Sequence, residues 1–400
     1  MTLNPPDAFR RIAEEATLWR RDLHQHPELL FDLPRTSAFV AEKLAAFGCD
    51  DIVTGIARSG VVATIVGRRG PGPTIALRAD MDALPMAEET NRAYASREPG
   101  RMHACGHDGH TATLLAAARH LAETRDFSGT VVLVFQPAEE GGGGARVMIA
   151  EGLLERFGIE EVYGMHNLPG LPVGSFGIRP GPLLAAGDRF MVTLNGRGGH
   201  AAYPHLCRDP ILAGSHLVVG LQSIASRHTD PFDPVVVSVT HVSGGSAGAL
   251  NVIPGAMQVG GTIRTIEPAT RGSVEARFRD IVRSTAALFE MEAGIDWRPG
   301  YPVTVNDPAR TEVAIAAARR VAGEGNVDGD WPRAMGSEDF SYLLEQRPGA
   351  MIWLGNGDSA SLHNPAYDFD DGAIAHGAAY WAALVEGRMN PGQAGEDFLP

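Results

Sequence analysis

The sequence of 400 residues predicts an α/β protein with a mostly parallel sheet, into which a smaller two-layer α+β unit is inserted. Two observations carry this prediction. Apolar runs of strand length alternate with helical stretches in the first part of the chain, which is the pattern of a covered parallel sheet. Between residues 183 and 297 Gly and Pro punctuate a different order of elements, and the earlier pattern then returns. We therefore expect a large domain over 1–182 and 298–400, and an inserted domain over 183–297.

The first part of the chain predicts two helices followed by alternating strands and helices. The first helix covers 7–26 and stops at Pro27, and the second has Gly48 just past its end, at the usual left-handed cap position. Four β-rich runs follow, and helices beginning near Gly109 and Ala145 separate some of them. The predicted strands are 61–66, 74–80, 130–135 and 161–166.

The inserted unit predicts strands and helices that pack in two layers. Its strands are expected at 189–196, 234–242, 257–265 and 295–302, and its helices at 209–226 and 274–291. After it come a helix at 311–322, a strand at 350–355 and a closing helix at 374–387.

Composition excludes several classes of protein. The net charge of −14, with no basic run to offset it, argues against a nucleic-acid partner. Cys49, Cys105 and Cys207 are odd in number and far apart, which favours a reducing, cytoplasmic setting over a disulfide framework. The N-terminal stretch lacks an apolar core of signal-peptide length, and no run of about 18 apolar residues occurs. We expect neither export nor a membrane span.

Polar residues that can bind metal follow several predicted strands. Because ligands bind at the carboxyl edge of the strands in an open parallel sheet, these residues are expected on one rim. They are Asp80, Asp82, Glu139, Glu140, His166 and His363.

The segment HACGHDGH, residues 103–110, adds Cys105 and His107 to this set. Their spacing of one residue points both side chains the same way in an extended loop, and Gly106 allows a tight turn between them. A thiolate with imidazoles and a carboxylate suits zinc or another borderline divalent metal. Cys105 is therefore predicted to be a metal ligand. The alternative is a small buried apolar residue, which is the common fate of a free cysteine.

The pair Glu139–Glu140, followed by four glycines, can divide two tasks between its members. One carboxylate can bind metal while the other takes a proton from the attacking water. A solvated acidic turn is the alternative, and a phosphate-binding loop is disfavoured because no Lys-Ser/Thr follows the glycines. The stretch GGSAG, 244–248, matches the pattern of a serine nucleophile, but a proline-containing segment follows it where a helix is needed.

Nine motifs together resemble a known family. In order along nearly the whole chain they are similar to the metal-dependent amidohydrolases that include hippurate hydrolase, N-acyl-amino-acid aminoacylases and plant indoleacetyl-amino-acid hydrolases. The motifs are RRDLHQHPEL, ALRADMDALP, HACGHDGHTATLL, VFQPAEEGGGGA, GMHN, GRGGHAAYPH, LNVIPGAMQVGGTIRT, GSEDFSYL and LHNPAYDF.

The resemblance implies a catalytic domain of the dinuclear metallopeptidase type with an inserted dimerisation domain. It implies Glu139 as general base and Cys105 as a ligand shared by two metals. By similarity, His107 and His166 complete one metal site, and Glu140 and His363 complete the other.

Further residues follow from the same resemblance. Asp80 stands where more distant relatives carry a ligand histidine, so Asp80 and Asp82 are expected to support the ligands from behind. His200 is expected to stabilise the oxyanion. Asn251 and Arg264 match positions that meet the carboxylate or carbonyl of the substrate.

The implied reaction is hydrolysis of an N-acyl amino acid to a carboxylate and a free amino acid, with two divalent ions of Zn, Mn, Co or Ni. The implied assembly is a homodimer or homotetramer in which His200 serves the partner's site. A dipeptidase or another C–N hydrolase on the same scaffold is the alternative function, followed by a non-catalytic binding homologue.

Overall fold

The computed structural model describes residues 7–390. The chain divides into two units. The large unit comprises Met1–Gly181, Val305–Pro332 and Asp339–Pro400, and the small unit comprises Pro182–Thr304 and Arg333–Glu338. Residues 1–6 and 391–400, which the predicted large domain includes, lie outside the described residues. The first six residues of the N-terminal stretch that lacks a signal-peptide core are among them.

The helices within the described residues are α1 Asp7–Gln25, α2 Pro34–Phe47, α3 His107–Thr124, α4 Gly144–Ala150, α5 Leu153–Arg156, α6 Pro210–Leu221, α7 Ser223–Arg227, α8 Pro268–Leu288, α9 Pro308–Ala322, α10 Ser341–Leu344 and α11 Gly372–Met389. Over the same stretch, none of them is both long and apolar enough to cross a membrane.

The strands within the same residues are β1 Asp51–Ile56, β2 Gly60–Val66, β3 Thr74–Asp80, β4 Thr130–Gln136, β5 Glu161–Leu168, β6 Phe176–Gly177, β7 Gly181–Leu184, β8 Ala186–Asn195, β9 Gly199–His200, β10 Val235–Gly244, β11 Val252–Ile253, β12 Ala256–Thr265, β13 Glu292–Arg298, β14 Thr304–Asn306, β15 Val327–Asp328 and β16 Gly349–Gly355.

The large unit contains a sheet in the order β1-β2-β4-β3-β5-β16-β6-β15. Its central strands β4, β3, β5 and β16 are parallel neighbours, which confirms the predicted α/β class. The sheet becomes mixed towards its edges, where β1 pairs with β2, β2 with β4 and β6 with β16 in antiparallel fashion. The connection from β1 to β2 is a tight turn with left-handed Ala57 and Arg58, and such a short connection permits only antiparallel pairing.

The parallel centre of the sheet positions the candidate site. Strand β3 ends at Asp80, β4 ends just before the loop that carries Glu139, and β5 contains His166 near its end. Parallel strands bring their carboxyl ends to one edge, so these segments meet there. Helix α3 begins at His107 and is buried along most of its length, packing against α1 and α11.

The small unit is an antiparallel sheet of four strands, in the order β10-β12-β8-β13, with α6 and α8 packed on it. This is the predicted two-layer α+β arrangement. Its core includes Phe190 and Phe278, whose ring centroids lie 4.7 Å apart.

The boundary of the small unit differs from 183–297 in three places, the first being that Pro182 already belongs to it. Residues 298–304 belong to it, because the N–H of Gly300 donates to Asp188 (3.0 Å) and the N–H of Gly187 donates to the carbonyl of Tyr301 (3.2 Å). Residues 333–338 also belong to it, because the N–H of Ala334 donates to the carbonyl of Leu183 (3.0 Å). Both segments are short and irregular. Nothing in their composition indicates that they hydrogen-bond to residues of the small unit.

Candidate metal centre

Two groups of metal-binding side chains share Cys105. Within each group, the ligand atoms lie within 4.8 Å of one another. The groups are Cys105, His107 and His166, and Cys105, Glu140 and His363. The structure thus brings together the five residues expected as ligands, in the two sets that the resemblance implies.

Gly106 permits the turn between Cys105 and His107. Its φ of +87° lies in the left-handed region, and it directly precedes α3. A Cβ at this position would collide with the side-chain amide of Asn167 and the hydroxyl of Tyr367. Any other residue would therefore be strained in both its backbone and its contacts.

The imidazoles of His107 and His166 each use one nitrogen on a backbone carbonyl. Nδ1 of His107 donates to the carbonyl of Asp82 (2.8 Å), and Nδ1 of His166 donates to the carbonyl of Asn167 (2.7 Å). These bonds leave Nε2 of each ring as the nitrogen for a metal. Nε2 of His107 is buried without a hydrogen-bond partner among residues 7–390, and Nε2 of His166 lies 3.4 Å from Sγ of Cys105. A borderline divalent cation fits this donor set.

Asp82 orders both glutamates from behind. Its Oδ1 accepts the backbone N–H of Glu139 (2.9 Å) and its Oδ2 accepts that of Glu140 (3.1 Å). Its own carbonyl holds His107, as described above. Burial raises the pKa of the Asp82 carboxyl, and the neighbouring His107 opposes that rise.

Asp80 contacts the candidate ligand His166 indirectly, through His110 and Asn167. Its Oδ1 accepts from Nδ1 of His110 (2.6 Å), and Nε2 of His110 accepts the backbone N–H of Asn167 (3.0 Å), whose carbonyl orients His166. Burial alone would raise the pKa of Asp80, but His107, Arg78 and His110 together hold it well below its ordinary value. Asp80 and Asp82 thus hydrogen-bond to groups that contact the candidate ligands, and their role in supporting a metal stays a prediction.

Glu139 is buried next to Glu140 and His107, and ligand atoms of these three residues lie within 4.8 Å of one another. The preceding Ala138 has a φ of +57°, an unfavourable conformation for a residue with a side chain. Backbone strain of this kind is typical of functional sites when the surroundings hold it in place. Oε1 of Glu139 accepts the backbone N–H of Asp339 at 3.4 Å.

His363 closes the second group from a less buried position. Its φ is +63°, and its N–H donates to the carbonyl of Ala104 (2.8 Å). Its Nε2 lies 3.1 Å from Oε1 of Glu140. Hydrogen bonds and charge from Cys105 and Glu140 raise the pKa of His363 to about 10. In the absence of metal the imidazole is therefore protonated, and its positive charge lies beside these two residues.

His200 and Asn251 lie next to each other in the small unit. Strand β9 pairs with β11 so that His200 opposes Val252, and the N–H of Ala201 donates to the carbonyl of Asn251 (2.9 Å). Both side chains are exposed. Nδ1 of His200 accepts the N–H of Ala202 (3.1 Å), which leaves Nε2 facing outwards from this turn.

Arg264 is remote from that pair. It lies near the end of β12 that is far from β11, and the eight steps from Ala256 to Arg264 span roughly 26 Å at about 3.3 Å per residue. Its guanidinium donates to the carbonyl of Ile263 (3.3 Å) and forms no ion pair within the described residues. Burial and the charge of Arg189 lower its pKa. A half-buried cation of this kind suits an anionic ligand.

Several supporting residues were not predicted from the sequence. His110 lies one helical turn from His107 on α3, so the spacing in HDGH could have revealed it. Asn167 follows His166 in the motif GMHN, and Tyr367, whose hydroxyl donates to Asn167 (2.7 Å), follows His363 by four residues. Asp339, in the motif GSEDF, had no assigned role.

A cluster of thiolate, imidazole and carboxylate ligands beside a buried glutamate, at the carboxyl edge of an α/β sheet, defines a metal-dependent hydrolase of the metallopeptidase class. The model of peptidase family M20/M25/M40 matches residues 76–387, and the chain belongs to this family.

Known relatives extend over most of the chain. It is 43% identical over 356 residues to N-acetyl-L-cysteine deacetylase from Bacillus subtilis, covering 89% of this chain and 83% of that protein. It is 39% identical over 366 residues to hippurate hydrolase from Campylobacter jejuni, covering 92% and 94%.

Solved structures show the same fold. A putative aminohydrolase from methicillin-resistant Staphylococcus aureus superposes with a TM-score of 0.88 at 32% identity, covering 96% of this chain and 98% of that one. The Bacillus subtilis YXEP protein, a dinuclear metal-binding peptidase of the M20 family, superposes with a TM-score of 0.83 at 35% identity, covering 95% and 99%.

Proposed function

We propose that this chain hydrolyses the amide bond of N-acyl amino acids, releasing a carboxylate and a free amino acid, with two divalent metal ions bound. The observation that carries the proposal is the pair of ligand groups that share Cys105, with Glu139 beside them. The named relatives act on N-acetylcysteine and hippurate, which are amides of this class.

The five ligands divide between the two ions as the groups suggest. Cys105, His107 and His166 would hold one ion, and Cys105, Glu140 and His363 the other. Mixed thiolate, imidazole and carboxylate ligands favour Zn, Mn, Co or Ni over magnesium or calcium. When bound, such ions supply Lewis acidity that lowers the pKa of water and polarises a carbonyl.

Glu139 moves the proton. Its carboxylate accepts a proton from the attacking water and then delivers it to the leaving nitrogen as the C–N bond breaks. The backbone bond from Glu139 to Asp82 and the side-chain bond to the N–H of Asp339 fix its position for both steps. Water is limited around it, because Glu139 is only 6% exposed.

His200, Asn251 and Arg264 are the residues we assign to the substrate. The imidazole of His200 would donate to the oxyanion, and Asn251, which lies beside it, would meet a substrate carbonyl or carboxylate. Arg264 would bind the α-carboxylate of the amino acid, since it is a half-buried guanidinium without an ion pair within residues 7–390. Because Arg264 lies roughly 26 Å along β12 from β11, one chain cannot direct all three at one substrate.

This arrangement requires a second copy of the chain. We propose that a homodimer formed through the small unit provides it. The two edge strands of its sheet differ in charge. Strand β13 exposes Glu292, Asp296 and Arg298, which discourage strand pairing, whereas β10 has no charged residue. Helix α6 of the same unit exposes Ile211, Leu212 and Val219. An open edge beside an apolar helix face favours pairing with the same surface of a second chain.

The setting we assign is the cytoplasm. The three cysteines, Cys49, Cys105 and Cys207, are all free. A predicted role for Cys105 as a thiolate ligand requires a reduced sulfur.

A substrate panel tests the proposed function. The chain is stripped with a chelator, reloaded separately with Zn, Mn, Co or Ni, and assayed on N-acetyl amino acids, N-benzoyl amino acids and dipeptides, with Glu139→Gln as the matched inactive control. We expect metal-dependent hydrolysis of the N-acyl amino acids. Cleavage of dipeptides alone would assign a dipeptidase instead. Absence of any bound metal after reloading would favour a binding homologue.

A further inference from the structure

The motif GSEDF places a buried carboxylate behind the general base. Asp339 is fully buried in the large unit. Its Oδ1 accepts from Nη2 of Arg78 (3.0 Å) and from Nε2 of Gln136 (2.7 Å), and its Oδ2 accepts the backbone N–H of Ala145 (3.0 Å). Its own backbone N–H donates to Oε1 of Glu139 at 3.4 Å. One residue therefore contacts the general base and three elements around it.

These contacts bracket the loop that carries the two glutamates. Gln136 is the last residue of β4 and Ala145 belongs to the first turn of α4, so they flank the loop 137–144. Asp339 binds both flanks with a single carboxylate. The loop contains the left-handed Ala138, whose unfavourable backbone conformation persists only if its surroundings hold it. The clamp by Asp339 provides that restraint at both ends.

The charge of the clamp is balanced within the same unit. Arg78 is 2% exposed and donates to Asp80 (2.8 Å) as well as to Asp339 (3.0 Å), and its Nε donates to Oε1 of Gln136 (2.9 Å). Charge-assisted bonds of this kind are strong, and a buried guanidinium left without one carboxylate is costly. The network is therefore rigid, and it reaches the ligands through Asp80.

We infer that Asp339 is a positioning residue for hydrolysis. It holds the loop 137–144 at both ends, and its N–H sets the orientation of the Glu139 carboxylate. This inference rests on the proposed function, because it assigns Asp339 a role in the turnover that Glu139 carries out. Asp339 itself faces the flanks of the loop, so it acts through Glu139 and not on substrate.

Asp339→Asn tests the inference, and Glu161→Gln is its matched control. Glu161 is equally buried and also takes guanidinium bonds, from Arg388 (2.6 Å) and Arg310 (2.9 Å), but it joins β5 to α9 and α11. Both variants remove one buried charge and retain the size of the side chain. Thermal unfolding, metal content, kcat and KM are measured for both in the metal-loaded enzyme.

We expect the two variants to lose similar amounts of thermal stability and to keep the metal content of the wild type. Asp339→Asn should lower kcat by about 10- to 100-fold with KM changed by less than about twofold, since misplacement of a catalytic group by 1 Å has effects of this size. Glu161→Gln should keep kcat within about twofold of the wild type. A KM-independent fall in kcat confined to Asp339→Asn supports the inference.

Equal kcat values in the two variants would overturn the inference, and so would a fall in kcat that follows loss of metal. If Asp339→Asn does not fold, Gln136→Met replaces it, because this change removes the donor to Asp339 and retains side-chain length. It should lower kcat several-fold at unchanged KM, and wild-type kcat would contradict the clamp.

Measuring Glu139→Gln in the same series distinguishes failure of the proposed mechanism from failure of the positioning role inferred for Asp339. If it retains full kcat, Glu139 is not the general base, and the inference built on it fails as well. The proposed function itself fails if the metal-loaded wild type hydrolyses no N-acyl amino acid in this assay. If Glu139→Gln is inactive while Asp339→Asn retains full kcat, only the inference fails.

Discussion

The candidate residues of the large unit and those of the small unit differ in how they are held. Asp80, Asp82 and His107 are almost completely buried, and each is oriented by hydrogen bonds to neighbours of the same unit. His200 and Asn251 are exposed, and the contacts that hold them are backbone groups of one turn and of the short strand pair β9 and β11.

The difference shows that the candidate residues of the large unit are oriented by buried hydrogen bonds, whereas His200 and Asn251 are not. The large unit can hold charge and metal without rearrangement, because its ligands are already oriented from behind. His200 and Asn251 have no such buried support within the small unit. Substitutions in the two units should therefore have different consequences.

The largest effect is expected for Glu139→Gln. The variant keeps the size and the backbone bonds of Glu139 but cannot accept the proton, so kcat should fall by about 10²- to 10⁴-fold. The network around Asp82 does not depend on that proton, so metal content should stay that of the wild type. Steady-state kinetics together with elemental analysis measure both quantities. Unchanged kcat would remove Glu139 from the chemistry.

Cys105→Ala should affect metal binding before anything else. Both ligand groups lose their common sulfur, so metal affinity should fall by at least about tenfold and activity with it. Competition with a chromogenic chelator measures the affinity. A variant with full metal content and activity would show that Cys105 is only a small buried apolar residue.

Gly106→Ala should destabilise the site through both strain and collision. Gly170→Ala is the matched control, because Gly170 has nearly the same φ (+89° against +87°) but open space around a Cβ. The control should lose about 1 kcal/mol of unfolding free energy from strain alone, and Gly106→Ala a further 1–3 kcal/mol, roughly, from overpacking against Asn167 and Tyr367. Denaturant titration of both variants measures the difference. Equal losses of unfolding free energy would mean that Asn167 and Tyr367 move away from the added methyl group at no energetic cost.

The smallest effect concerns the pH dependence of stability. His24 is buried with Nδ1 2.8 Å from Asp108 and Nε2 3.3 Å from Glu88; burial lowers its pKa, but the two carboxylates outweigh this and raise it to about 9. Because the folded pKa exceeds the ordinary value of about 6.5, this stabilisation is complete below about pH 6.5 and is lost as the pH rises through about 9. The Tm gap between wild type and His24→Gln should therefore narrow over that range. A gap that stays constant from pH 6 to about 10 would contradict the ion pairs.

The candidate metal ligands could be singled out from the sequence because their chemistry is unusual and local. Cys105 and His107 are separated by one residue, Glu140 lies in the loop that follows β4, and His166 lies near the end of β5. The α/β class follows in the same way from the alternation of apolar runs.

What the sequence could not predict depends on contacts between distant segments. Asp339 reaches Gln136 across 203 residues, and the short segment 333–338 joins the small unit through backbone bonds that any residue could make. The antiparallel edges of the sheet are set by one tight turn between β1 and β2 and by the short strand β6, neither of which has a strong periodic pattern.

A mixed dimer of two variant chains tests most directly whether His200 in the small unit of one chain serves the metal site in the large unit of its partner. Glu139→Gln and His200→Ala chains, each nearly inactive as a homodimer, are co-expressed with different tags, and the heterodimer is isolated. If His200 serves the partner's site, one of the two sites combines intact Glu139 with intact His200, and the heterodimer should regain about half of the wild-type activity per dimer. No recovery in a confirmed heterodimer would show that His200 acts within its own chain and would contradict the assignment across chains.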